Sequence, residues 1–239
     1  MALAEHTTKA FDFDLQELAR MIAEMGGLAE RQIVEVIEAL TRRDTERAGR
    51  VVAADAAIDA LQRNIEELAV ETIARRQPMA IDLREVVGVL RISNELERIG
   101  DLAKNIGKRV IALSGGDISR RSMRGVRHMA SLALAQLQDA LDSFARRDLS
   151  KAMAVHAHDD EVDRMYTSMF RELVTSMVED PGIITSGIHL LFCTKNLEQM
   201  GDHTTNIAEA VQYIIEGYAL LNDRSRSGDS EKLPLAVEC

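Results

Sequence analysis

The chain repeats itself. Thr41-Arg42-Arg43-Asp44 returns 104 residues later as Ala145-Arg146-Arg147-Asp148, and Asp55 and Asp59 return in the same register as Asp159 and Asp163. Beyond the next proline the spacing becomes 101 residues. Leu96-Glu97, Gly100-Asp101 and Asn105-Ile106 reappear there as Leu197-Glu198, Gly201-Asp202 and Asn206-Ile207. A duplicated unit either closes its own core or packs on its twin, so the repeat predicts two like halves in tandem.

Each half reads as helical. Val89, Ile92, Leu96, Ile99, Ala103, Ile106 and Val110 alternate steps of three and four without error. Leu190, Cys193, Leu197, Met200, Thr204, Ile207, Val211, Ile214, Tyr218 and Leu221 do the same one repeat later. Each series is one apolar stripe on a long helix. A further stripe, Val51, Ala54, Ile58, Leu61, Ile65, Leu68 and Thr72, marks the helix before Pro78. Aromatic residues make up only 3% of the chain, and prolines number 3, at positions 78, 181 and 234. Such a composition suits long helices and disfavours strands. The expected fold is all-α, two tandem three-helix bundles with helices over about 7–42, 44–76, 79–113, 118–146, 148–179 and 182–222. Asp44 and Asp148 are placed to cap the second helix of each half. The predicted division is a first bundle over 1–114, a Ser114-Gly115-Gly116-Asp117 linker, a second bundle over 117–222 and a disordered tail over 223–239.

Charge and cysteine usage narrow the function. A formal net charge of −10 opposes a nucleic-acid reader, which needs a cationic footprint. The longest uncharged stretch, Pro181 to Thr194, is 14 residues, too short to span a bilayer. No secretory leader is expected. Two cysteines, Cys193 and Cys239, make no disulfide framework, and a cytoplasmic protein is expected.

The repeated carboxylates are the chemical signal. Glu97, Asp101 and Asn105 share one stripe of a helix, as do Glu198, Asp202 and Asn206. The helical wheel turns each stripe outward, nearly opposite the apolar seam, and sets Asp55 and Asp59, like Asp159 and Asp163, beside their own seam. Asp59 and Glu97 each lie 19 residues from Pro78, and Asp55 and Asp101 each lie 23 residues from it. In the second half both pairs, Asp163 with Glu198 and Asp159 with Asp202, centre on the Asp180-Pro181 bond. An antiparallel hairpin folded at those prolines therefore brings four carboxylates level in each half, about 29–35 Å from the turn in the first. Like charges four apart on a helix cost a few tenths of a kcal/mol, yet such pairs stand at matching places in both halves. Gly100 and Gly201 each forgo about 1 kcal/mol of helix stability and leave the backbone open to close approach. Hard oxygen donors without thiolates suit Mg²⁺, Mn²⁺ or ferric iron.

The Leu-Glu-Arg-Ile-Gly-Asp run at 96–101, with its twin Leu-Glu-Gln-Met-Gly-Asp at 197–202, resembles the PhoU family of bacterial phosphate-signalling regulators. The resemblance covers both repeats, roughly residues 10–220. It implies metal sites on the bundle surface, with iron first and Zn, Mn or Mg as alternatives. The implied role is negative regulation of the phosphate regulon and of phosphate uptake, without enzymatic activity. The implied partners are the phosphate-sensing histidine kinase and the ATPase subunit of the phosphate ABC transporter, with a homodimer also expected. Carried over by position, the ligands are Glu97, Asp101, Glu198 and Asp202. Asp55, Asp59, Asp159 and Asp163 join them by level. Asn105, Asn206 and His203 are second-rank, as ligands or as groups that orient the carboxylates. Arg98, Leu102 and Lys104 become Gln199, His203 and Thr205, so the first site is expected to carry its own cationic partners and the two sites to differ in metal occupancy.

Two other classes stay open. A metal-dependent phosphoester hydrolase would use the same carboxylates as its cage. A metal-free helical scaffold would use them only as a solvated face. No nucleophile elbow, phosphate loop or Glu-x-x-His pair is present. His156 is a weaker ligand candidate, while His158 falls on the seam. Cys193 reads as a core residue, Met129, Met153, Met165, Met169 and Met177 as core filler, and Arg120, Arg121, Arg124 and Arg127 as a solvated basic stripe.

Overall fold

Long amphipathic helices and short breaks set the architecture. The computed structural model describes residues 2–113 and 119–217. It contains α1 (Ala2–Arg42), α2 (Thr45–Arg76), α3 (Ile81–Ala112), α4 (Arg120–Arg146), α5 (Leu149–Glu179) and α6 (Ile184–Glu216), with a 3-10 turn at Pro181–Ile183. No strand occurs among the described residues. Helices α1–α3 form one antiparallel bundle and α4–α6 a second, as the duplication predicts. The linker 114–117 and the end of the sixth helix beyond Gly217, with the tail, lie outside the described residues.

The repeated Arg-Arg-Asp segments build the same turn twice. Arg43 and Arg147 take left-handed backbone, at φ 56° and 54°. The amides of Asp44 and Asp148 reach back to the carbonyls of Ala39 and Ser143, closing each helix end. Each aspartate then accepts the amide three residues on, Arg47 at 2.8 Å and Lys151 at 3.0 Å, and starts the next helix. Asp180 caps the 3-10 turn by accepting the Gly182 amide at 2.9 Å. At the far end of α6, Gly217 sits at φ 86° with the Arg84 guanidinium against it, a place where a side chain meets both strain and collision.

The two bundles join mainly through α3 and α6, which run antiparallel, with α1 against α4 beside them. All seven residues of the α3 stripe are buried, as are Leu190 through Ile214 of the α6 stripe. Gly88 marks a close approach of the two helices: a Cβ there would stand 2.3 Å from Ile214. Gly88→Leu is expected to lower stability by about 2–3 kcal/mol through overpacking, outweighing the gain in helix propensity, as read by urea unfolding. Three apolar expectations fail: Ala54 and Met153 are exposed, and so is His158. In α5, Ala152, Val155, Val162 and Met169 turn inward and set the phase that leaves His158 outside. Among the described residues no helix is long and apolar enough to cross a membrane.

Candidate metal-binding carboxylate clusters

The α2–α3 hairpin brings Asp55, Asp59, Glu97 and Asp101 within electrostatic reach of one another, as their equal distances from Pro78 require. The α5–α6 hairpin does the same for Asp159, Asp163, Glu198 and Asp202. The clusters are less outward than the helical wheel implies. Asp55 is not beside the seam but in it, 2% exposed, between Val51 and Ile58. Glu97 and Glu198 are largely covered, at 21% and 13%. The cause is that α3 and α6 are the middle helices, packed on both their own bundle and the other one.

Gly100 and Gly201 explain how a carboxylate enters the core. A Cβ on Gly100 would lie 3.2 Å from Asp55 Oδ1 and 3.5 Å from Gln32 Oε1. One on Gly201 would lie 3.2 Å from Gln136 Oε1 and 3.5 Å from Asp159 Oδ1. The close approach is thus made by a glutamine of the first helix and an aspartate of the second, in both halves. Gln32 and Gln136 were not singled out from the sequence. Their spacing equals that of the Arg-Arg-Asp turns, so the repeat register was the signal that could have found them.

Neutralisation differs between the halves. Lys104 Nζ lies 2.7 Å from Asp55 and 2.9 Å from Asp101, so an ammonium already sits between the first cluster's carboxylates. Both contacts raise the Lys104 pKa above the usual lysine range. In the second half Thr205 holds that position. Gln136 Nε2 donates there to Asp159 Oδ1 and Thr205 Oγ1, both at 3.3 Å. Lys195 pairs instead with Glu198, at the edge. Burial, then like-charge neighbours, pushes Glu97 above the ordinary carboxylate range, with Asp101 the chief neighbour. Asp163, more exposed, moves the same way through desolvation and then Asp159 and Asp202.

A raised carboxyl pKa means that folding penalises the ionised form. That cost is present above the folded pKa and fades as pH falls towards the unfolded value. Glu97→Gln is therefore expected to stabilise the metal-free protein at pH 7 by a few tenths of a kcal/mol. The gain should disappear below pH 4.5, the ordinary glutamate value, in thermal melts at the two pH values.

The second-rank residues have separate places. Asn105 is exposed. His203 and Asn206 turn across the bundle interface to Glu95 on α3, donating at 2.7 and 3.0 Å. Burial opposes ionisation of Glu95, but these two bonds outweigh it and hold its carboxyl below the usual range. His156 has an Nε2 that is buried with no hydrogen-bond partner. Cys193 is fully buried, its thiol pushed up to about 12 by desolvation, and is inert.

The donor sets fit a hard cation. Asp55 Oδ1 and both amide atoms of Gln32 are buried without a hydrogen-bond partner beside Gly100, and Gln136 Oε1 is likewise beside Gly201. Among the described residues no three His, Cys, Asp or Glu side chains are gathered closely enough to hold an ion.

The same chain-long pattern recurs in known proteins. The PhoU domain family model matches residues 22–110 and 126–211, once per bundle. A Rhizobium meliloti protein named phosphate-specific transport system accessory protein PhoU homolog is 50% identical over 89% of this chain and 90% of its own length. The homolog of the same name from Caulobacter vibrioides is 45% identical over 94% of this chain and 97% of its own. The crystal structure of PhoU from Pseudomonas aeruginosa superposes with a TM-score of 0.83 at 40% identity, covering 87% of this chain and 100% of that one. The phosphate transport system regulatory protein PhoU from Streptococcus pneumoniae gives 0.81 at 28% identity, covering 88% and 99%. With both bundles matched and the repeat motifs in place, the chain belongs to the PhoU family.

Proposed function

We propose that this protein is an accessory regulator of phosphate transport that restrains the phosphate regulon and phosphate uptake when phosphate is plentiful. It acts in the cytoplasm, as a homodimer, through contacts with the phosphate-sensing histidine kinase and the ATPase subunit of the phosphate ABC transporter. The observation that carries this reading is family membership along the whole length of both bundles. The relatives bear accessory or regulatory names, and the site residues offer carboxylates without a nucleophile. Binding and release of partners, rather than turnover, is the work such a surface supports.

The two carboxylate clusters are its metal sites. Asp55, Asp59, Glu97 and Asp101 would hold one, and Asp159, Asp163, Glu198 and Asp202 the other, with iron first among the candidates and Zn, Mn or Mg next. A bound cation supplies positive charge that offsets the carboxylate repulsion. In the first half Lys104 bridges two of the carboxylates, whereas in the second Lys195 contacts only Glu198 at the rim, so the second cluster is the stronger site. Gln136 orients Asp159 from behind through its Nε2, while the unpartnered amide of Gln32 beside Asp55 is left to complete the first site.

The test is metal content and partner capture together. Purified Asp101→Ala/Asp202→Ala protein should carry less metal than wild type, with its helical signal intact. The wild-type protein should retain the transporter ATPase and the kinase in pull-downs from phosphate-replete cells. A double variant with undiminished metal would remove the clusters as the site. Metal-dependent phosphoester hydrolysis lost in that variant would replace the regulatory reading with the enzymatic one.

A further inference from the structure

The seam between the bundles is related to itself by the duplication, and its two ends are chemically opposite. At one end Glu95 accepts from His203 and Asn206, and the interface is closed. At the other end the repeat-equivalent positions carry different residues. Glu95 becomes Asn196, Glu209 corresponds to Lys108, Ala210 to Arg109, and Gly88 to His189. Here a cavity of about 400 Å³ opens between the C-terminal half of α3 and the N-terminal half of α6. Its lining is Asn105, Lys108, Arg109, Ala112, His189 and Asn196. In a chain of net charge −10, this lining contains no carboxylate.

The donors are uncommitted. Among the described residues neither Lys108 nor Arg109 makes an ion pair, although ion pairs are common elsewhere on these helices. The Arg109 guanidinium carbon stands 3.9 Å from the centre of the Phe192 ring, a cation–π contact that engages no hydrogen-bond acceptor and leaves its N–H donors for one. His189 Nδ1 is shielded from solvent and has no hydrogen-bond partner. An ammonium, a guanidinium, an imidazole and two carboxamides converge on one space. That set matches a ligand with several oxygens and more than one negative charge, and exceeds what a single carboxylate requires.

We propose that this pocket is a binding site for a phosphoryl dianion, either free inorganic phosphate or the phosphate of a small ester. It is separate from the carboxylate clusters and independent of the regulatory reading, since direct binding decides it. An anion there would tie α3 of one bundle to α6 of the other, opposite the Glu95 lock.

Equilibrium dialysis of the full chain against inorganic phosphate, and separately against adenosine monophosphate, tests it. The expected result is saturable binding of one anion per chain. Lys108→Glu and Arg109→Ala, each importing the residue of the other repeat, should weaken it at least about tenfold. Arg124→Ala, on the exposed stripe of α4, should leave it unchanged, and circular dichroism should show all three variants folded. His189→Gly, which imports Gly88's residue, serves if either charge variant fails to fold, and should weaken binding several-fold. Tighter binding of the phosphate ester than of free phosphate, or the reverse, supports the site and identifies its source. No saturable binding of either probe up to about 10 mM, or equal affinity in the folded variants and wild type, overturns it.

Discussion

Lys104→Thr is expected to cost the metal-free protein about 3 kcal/mol at neutral pH. The substitution gives the first half the residue that the second half already carries. It withdraws the ammonium from Asp55, whose side chain is 3% exposed, and from Asp101. Removing one partner of a buried pair leaves the other charge uncompensated, which costs about 3–5 kcal/mol, here discounted because Lys104 itself is 27% exposed. The variant also removes the positive charge that now stands between Asp55 and Asp101, leaving room for a cation there. Added divalent or ferric ion should therefore restore most of the lost stability, in line with binding to the native state alone. Urea unfolding with and without metal reads both effects. A loss below about 0.5 kcal/mol would mean that Asp55 finds water or Gln32 instead, and the ammonium is not the element that makes its burial tolerable.

Leu96→Asp should exceed even that, at about 5 kcal/mol or more, because it places a charge at a fully buried position on the central α3 stripe. Loss of the cooperative thermal transition is the expected readout. Asp101→Ala, five residues on and part-exposed, should leave the transition in place. The contrast separates the two faces of one helix. If both variants lost helical signal alike, the carboxylate stripe would belong to the core and its role would be structural.

Much of this molecule is legible in its sequence because duplication supplies an internal control. The Arg-Arg-Asp turns, the caps at Asp44 and Asp148 and the seams of α3 and α6 follow from local rules and from repetition. The level of the carboxylates follows from the prolines. Burial of Asp55 does not, because a helical wheel ranks aspartate as a surface residue. Only tertiary neighbours, Gly100 on α3, Gln32 on α1 and Lys104, make room for it and offset its charge. His203 and Asn206 likewise could not be assigned from α6 alone. Their partner, Glu95, sits on the other bundle, and sequence spacing within a hairpin says nothing about how two hairpins dock. The phase of α5 was misread at His158 because its apolar positions are sparse and its exposed methionine, Met153, mimics a core residue.

The two halves have diverged at their charged positions. A copied bundle begins with two equal clusters and two equal seam ends. This chain has placed an ammonium between two carboxylates of one cluster, and in the other has put a threonine and a glutamine at that place with a lysine only at the rim. It has also closed one seam end with a carboxylate and lined the other with cations.

The central claim is regulatory, and a phosphate-response reporter tests it most directly. Alkaline phosphatase activity should be measured in phosphate-replete cells with the gene intact, deleted, and restored as wild type or as Asp101→Ala/Asp202→Ala. The account predicts high activity in the deletion, silence on restoring the wild type, and incomplete silence with the double variant. Equal, low activity in the intact and deleted strains would contradict it.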